Sequence, residues 1–337
     1  MLEIKNYKLI TTITGRISDA KNGAMRKQRI LNIGSMLAGL LLVITTITVA
    51  ASCQSTSNVS SGKKSIVVTY SILGSVVKDL VGDNASVTVM MPNGQDPHEW
   101  EPSARDIETL DKADLVVENG LGLEGGMQKT LQRVRDNGVK FFTASDYITV
   151  RHVGPGEGIP SGDPDQATGA ADPHLWTDPV AMKEIVAALA IKLKTDLGID
   201  VNASALDLEA RLDALNQNIS DMVASLPSDN RSLVTGHESM GYFAQRYGFK
   251  LVGAIIPSLS DQAEVSAADL ATLKNEIQQN HVKAIFTELG TSPAVARAIG
   301  DETGVKVIEL TTHALPDDGS YFTFEHNLAQ TIVDALK

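Results

Sequence analysis

The chain has 337 residues, 43% of them apolar and 21% charged. That is enough apolar mass for two domain-sized cores and a globular charge content. The formal charge of −12 is uneven: residues 1–53 carry net +5, which leaves −17 on residues 54–337. An acidic body excludes a nucleic-acid footprint and suits a protein that handles cations, and the one cysteine, Cys53, excludes a disulfide framework or a cysteine-rich metal cluster.

No charge occurs between Arg29 and Lys63. Arg26, Lys27 and Arg29 precede an apolar core, Met36-Leu-Ala-Gly-Leu-Leu-Leu-Val-Ile-Thr-Thr-Ile-Thr-Val49. A basic run followed by an apolar core is a secretory signal. It starts at Met25, so residues 1–24 read as an upstream extension. The core ends in Ala50-Ala51-Ser52-Cys53, followed by an uncharged polar run to Gly62. Small residues before a lone cysteine resemble a bacterial lipoprotein cleavage site, with Ala50 standing where that motif usually has Leu. The expectation is a signal segment over 1–53, a lipid attached at Cys53, a flexible tether over 54–63, and a body outside the cytoplasmic membrane. The alternative is one uncleaved membrane anchor, for which the uncharged stretch is long enough.

From Lys64 onward strands alternate with helices. Strands are expected at 65–70, 87–91, 115–117 and 140–142, with a helix opened by the capping pattern Ser103-x-x-Asp106. Residues 151–171, rich in Gly, Pro and Asp, read as a mobile surface loop. Leu208, Leu212, Leu215, Ile219, Met222 and Leu226 recur at spacings of four and three, which predicts an amphipathic helix over 202–226 of roughly 36 Å. A coiled-coil seam is the alternative, and three heptads are short for one. Strands follow at 233–234, 251–252, 284–286 and 305–308, with helices from about Glu238, Ser266, Pro293 and Phe322. The fold class is α/β: two βα lobes with parallel sheets, 64–201 and 228–337, joined by a long linking helix at 202–227.

Of seven histidines, four stand where such a fold has its cleft. His98 lies in Asp96-Pro-His98-Glu-Trp100 and His174 in Asp172-Pro-His174-Leu-Trp176, and both tryptophans of the chain sit in these two near-repeats. Proline stiffens each loop, and the Asp two residues back can orient the imidazole. His237 and His313 follow strands, at the carboxyl edge where open parallel sheets bind ligands. One such histidine is more often a solvated loop residue. Four on separate rigid loops are what a tetrahedral zinc site needs. Glu288, at the end of a strand, is a candidate outer carboxylate, with a plain surface acid as the alternative. His281 and His326 read as surface residues, and His152 belongs to the loop.

These motifs, DPHEWEPS, DPHLWTDP and GHESMGYFAQRYG, with the closing segment of 276–310, resemble the solute-binding proteins of zinc and manganese ABC importers, the cluster A-I or TroA/ZnuA-like family. The resemblance covers about residues 64–337. It implies two βα lobes about a rigid helix, a metal held between them, an importer permease as partner and no enzymatic activity; a monomer is the expected state, with a dimer as the alternative. It matches the first three metal ligands to His98, His174 and His237. The fourth position, usually Thr-Asp-Ser, reads Thr312-His313-Ala314, so His313 is the direct match and Asp317 or Asp318 the alternative. Imidazoles favour Zn2+ over Mn2+, which prefers carboxylate oxygens. A surface adhesin of the same fold is a rival. So is a zinc hydrolase with Glu238 or Glu288 as base, although His237-Glu238 does not continue as H-E-x-x-H and no G-x-S-x-G, P-loop or G-x-G-x-x-G occurs.

Overall fold

A computed structural model of the chain describes residues 62–159 and 162–337. The signal segment, Cys53 and nearly all of the tether lie outside the described residues.

The first array contains β1 (Lys64–Val68), α1 (Ser71–Val81), β2 (Ala85–Val89), α2 (Ala104–Asp111), β3 (Leu115–Glu118), α3 (Gln128–Asp136) and β4 (Phe141–Thr143). All pairings are parallel and the strand order is β2-β1-β3-β4. The expected capping box forms at α2: Ser103 accepts from the Asp106 amide and Asp106 from the Ser103 amide. Strand side chains alternate between faces. In β1 and β3, Ile66, Val68, Leu115 and Val117 join the largest apolar cluster, whereas Val67 and Val116 face a smaller one with Leu110, Met127, Leu131 and Val134. The sheet is therefore buried on both faces, as a parallel sheet requires.

Two helices follow, α4 (Pro179–Leu197) and α5 (Asn202–Ala224). The sequence pattern missed α4, because its apolar residues wrap most of the helix and leave no stripe of period 3.6. Asp178 caps α4 and Gly198, at φ 71°, ends it in a left-handed turn. Along α5 the buried stripe is Ala205, Leu208, Leu212, Leu215, Ile219 and Val223. Val223 takes the place expected of Met222, and Leu226 is buried just beyond the helix.

The second array holds β5 (Ser232–Thr235), α6 (Gly241–Tyr247), β6 (Lys250–Ala254), α7 (Ala267–Gln279), β7 (Ala284–Thr287), α8 (Pro293–Thr303), β8 (Lys306–Glu309) and α9 (Tyr321–Leu336). Its strands pair in parallel as two separate ladders, β5-β6 and β7-β8. Leu233, Ala284 and Phe286 point into the same large cluster as the first sheet, while Val234 and Ile285 face α7 and α8 through Leu273, Ile277, Ala296 and Ile299. The large cluster, filled by α1, α4, α5 and α9, is thus the common middle layer of both arrays.

Residues 151–171 differ from the expected mobile surface loop. Val153 and Ile159 are buried, and Ile159 packs into the second array beside Val234, Val252 and Leu273. The Gly and Pro content serves tight turns, and the apolar anchor supplies the packing.

Candidate metal centre

His98 sits on the loop after β2. Asp96 Oδ1 accepts from the His98 amide at 2.8 Å, and Trp100 N donates back to Asp96 O at 3.0 Å. Asp96 therefore shapes the backbone turn rather than holding the imidazole, and its side chain pairs with Asp261. Gly126 N donates to His98 O at 3.2 Å. A Cβ on Gly125 would stand 2.7 Å from His98 O, and one on Gly126 only 2.4 Å from Trp100 O. Only glycine allows this loop to lie so close.

His174 precedes α4. Asp172 Oδ1 accepts from both the His174 amide and Nδ1, each at 2.9 Å. Asp172 Oδ2 takes Arg151 Nη1 at 3.0 Å. Asn119, beyond β3, holds Pro173 O at 2.9 Å, and Trp176 Nε1 reaches across to Thr312 O at 3.0 Å. The two His-x-Trp motifs thus do different work: Trp176 is buried and ties the His174 loop to the His313 segment, while Trp100 is half-buried.

His237 follows β5. Its amide donates to Glu288 Oε1 at 2.9 Å, and its Nδ1 lies 3.1 Å from the same oxygen, a charge contact rather than an aligned hydrogen bond. Glu288 also accepts from Ser239 Oγ and from Thr312 Oγ1 at 2.6 Å. His313 follows β8, with Nδ1 2.7 Å from Thr312 Oγ1. Glu288 thereby joins the His237 and His313 segments and is no surface acid, being 7% exposed.

The four imidazoles converge. One ring nitrogen from each of His98, His174, His237 and His313 lies within 4.8 Å of all the others, and ring centroids are 5.0 to 6.3 Å apart. Among the described residues no other group of three or more His, Cys, Asp or Glu side chains converges so. His174 Nε2 and His237 Nε2 are 3.1 Å apart. Tetrahedral zinc with Zn–N near 2.0–2.1 Å requires about 3.3 Å between ligand nitrogens. Nε2 of His98 and of His313 is buried without a partner. His174 and His237 are fully buried, and His98 and His313 each border a cavity, of about 570 and 640 Å3.

Burial, then repulsion among the rings, lowers His98 well below the ordinary imidazole value and His313 to about 3. Burial lowers His174 despite the opposing Asp172. Burial also works to lower His237, but Glu288 outweighs it and the group is raised. Burial opposes the Glu288 charge, yet His237 and the hydrogen bonds hold its carboxyl well below the usual range. Most of the cluster therefore presents neutral nitrogens, the form that binds metal.

Asp317 and Asp318 stand apart. Both are exposed. Asp318 accepts from Ser320 N and Thr323 Oγ1 at the start of α9, and Gly319 O is pinned by Ser75 Oγ at 2.7 Å. The loop is engaged with α1 and α9, and neither carboxylate lies in the four-histidine group. His152 is exposed on Val150 O, His281 is exposed at a positive φ of 52°, and His326 pairs with Asn218. Sequence reading missed Arg151, Asp261 and the Gly125-Gly126 pair; the glycine cluster at 120–126 was the one visible signal.

Over residues 66–335 the chain matches the family described as zinc-uptake complex component A, periplasmic (ZnuA). It is 26% identical to the manganese-binding lipoprotein MntA of Halalkalibacterium halodurans, across 88% of this chain and 93% of that protein. It is 29% identical to the high-affinity zinc uptake system protein ZnuA of Bacillus subtilis, across 82% and 88%. A solved structure of the periplasmic zinc-binding protein TroA from Treponema pallidum superposes with a TM-score of 0.70 at 28% identity, covering 82% of this chain and 99% of that one.

Proposed function

We propose that this protein, which belongs to the zinc-uptake complex component A family of ABC-importer binding proteins, captures Zn2+ outside the cytoplasmic membrane and delivers it to an importer permease. Members of the family are substrate-binding components and not enzymes. Its relatives are named for manganese as well as zinc, so the choice of metal is read from this chain's own donors.

The observation that carries zinc is the donor set. All four converging groups are imidazoles, and the carboxylates around them are engaged elsewhere: Asp172 on His174 Nδ1, Glu288 on Ser239 and Thr312, and Asp96 and Asp261 on each other. Nitrogen donors suit zinc, whereas manganese gains most from carboxylate oxygen. In this reading His98 and His174 come from an N-terminal lobe (64–201), His237 and His313 from a C-terminal lobe (228–337), and the linking helix (202–227) holds the two in register. A ligand bound by both lobes separates the loaded from the free state, which a permease must tell apart. Asp172 orients the His174 ring, while Glu288 holds the His237 amide and the Thr312 hydroxyl. The four protein ligands leave no position for a reactive water.

Calorimetric titration tests the reading. One Zn2+ per chain is expected, with Mn2+ competing only in large excess. His174→Ala should lose more than the roughly 10–100-fold that removal of an outer-shell partner costs. Wild-type zinc affinity in that variant contradicts the assignment.

The body is held to the membrane by a lipid on Cys53. The basic run, apolar core and small residues before Cys53 support this, as does the naming of relatives as lipoproteins. Among the described residues no helix is long and apolar enough to cross a membrane. Mass spectrometry of membrane-extracted protein should find an acylated Cys53 as the mature amino terminus; Cys53→Ser with unchanged mass and location contradicts it.

A further inference from the structure

We infer that Arg151 is a positioning residue of the metal centre: it holds Asp172 against His174 and ties both to the segment 151–159, which reaches into the second array. This rests on the reading of His174 as a ligand.

Asp172 is fully buried, and a buried carboxylate persists only with a counter-charge and full hydrogen bonding. Its two oxygens are divided. Oδ1 serves the His174 amide and Nδ1, and Oδ2 takes Arg151 Nη1 at 3.0 Å. With Oδ2 occupied, the carboxylate cannot turn, so His174 keeps its proton on Nδ1 and presents Nε2 as a lone pair. The guanidinium fork makes this possible, because its second arm holds Glu157 while the first stays on Asp172. Arg151 is 6% exposed and its amide donates to Tyr242 OH at 3.0 Å. At the start of α6, a Cβ on Gly241 would come within 2.2 Å of Asp172 Oδ2 and 2.4 Å of Arg151 Nη1. The pair therefore lies directly against the second array.

The remainder of the segment fixes the other end. Glu157 also accepts from Gly154 N at 3.0 Å, which closes a tight loop. Two residues later Ile159 is buried against Val234 of β5, the strand that ends just before His237. A Cβ on Gly253 of β6 would be 2.9 Å from Ile159 Cγ2, so that site is closely fitted. Nine residues thus link the carboxylate behind His174 to the strand behind His237. His174 Nε2 and His237 Nε2, 3.1 Å apart, are the atoms whose spacing this link would set.

The test uses the full mature protein, with Arg151→Gln, Arg151→Lys and Glu157→Gln. Long-range 15N–1H NMR of the metal-free protein reads the His174 tautomer, competition with a chromophoric chelator reads zinc affinity, and thermal melting serves as the structural control. Arg151→Gln should lose the fixed Nδ1–H signature of His174 and weaken zinc roughly 10–100-fold. Arg151→Lys, which keeps the charge but not the fork, should restore only part of both. Glu157→Gln, at a partly exposed position, should shift the same signals less. An unchanged His174 signature and zinc affinity in Arg151→Gln overturns the inference, whatever the melting temperature does. If Arg151→Gln does not fold, an unshifted His174 signal in Glu157→Gln overturns it instead. If the wild type fails to bind zinc while the His174 signal still responds to Arg151→Gln, the positioning role stands and the metal reading falls.

Discussion

At His174 the carboxylate on Nδ1 leaves Nε2 as a lone pair. His237 Nε2 lies 3.1 Å from it, a spacing that a proton on His237 or a bound cation can bridge. In the proposed site, the chemistry of the fourth member sets which cation is preferred. His313 contributes nitrogen, and Thr312 Oγ1 at its Nδ1 leaves Nε2 free to face the other rings. His313→Asp should keep metal binding but raise the affinity for Mn2+ relative to Zn2+, because an oxygen donor replaces a nitrogen. Competition titrations check this; an unchanged zinc-to-manganese ratio contradicts it. The histidines were legible in the sequence because stiff Asp-Pro-His loops and strand-end positions have local signatures. Arg151 and Asp261 were not, since each acts on a partner distant in sequence, Asp172 and Asp96, and nothing local marks such a pairing.

Among the elements, those with strong local signals appeared where the pattern put them: the capped helices α2 and α7, Pro293 at the start of α8, and the long α5. What escaped were features decided by tertiary contact. The helix α4 buries one face, but apolar residues such as the exposed Ile191 on its other side hide that stripe in the sequence. The segment 151–171 has turn composition but is fastened by Ile159. The glycines at 125 and 126 carry no periodic signal, yet they let α3 and its preceding turn meet the His98 loop at backbone distance. That contact makes a prediction. Gly126→Ala places a methyl group 2.4 Å from Trp100 O, which cannot yield without moving the loop. Zinc affinity should fall roughly tenfold, at the lower end of the cost of disturbing a ligand's support, although no ligand is removed. Calorimetry on the folded variant checks it, and wild-type affinity would show that the loop is not fixed there.

Among the described residues, the four-stranded sheet and the two ladders of the second array turn one face into a single apolar layer built on α1, α4, α5 and α9. Hydrogen bonds cross between the His98 and His313 loops as well: Asn93 Nδ2 donates to Leu315 O at 2.9 Å, and Leu315 N returns to Asn93 Oδ1 at 2.8 Å. A shared core and crossed loops bring the four imidazoles together within a small volume. Groups held in place by packing and loop contacts have a lower ordering cost on binding. The central claim, a zinc ion held by four imidazoles and no carboxylate, is tested most directly by a crystal structure of the zinc-loaded protein with anomalous data at the zinc edge. One peak is expected, about 2.0–2.1 Å from a ring nitrogen of each of His98, His174, His237 and His313. A peak bound by a carboxylate oxygen in place of His313, or one that lacks His174 or His237, contradicts it.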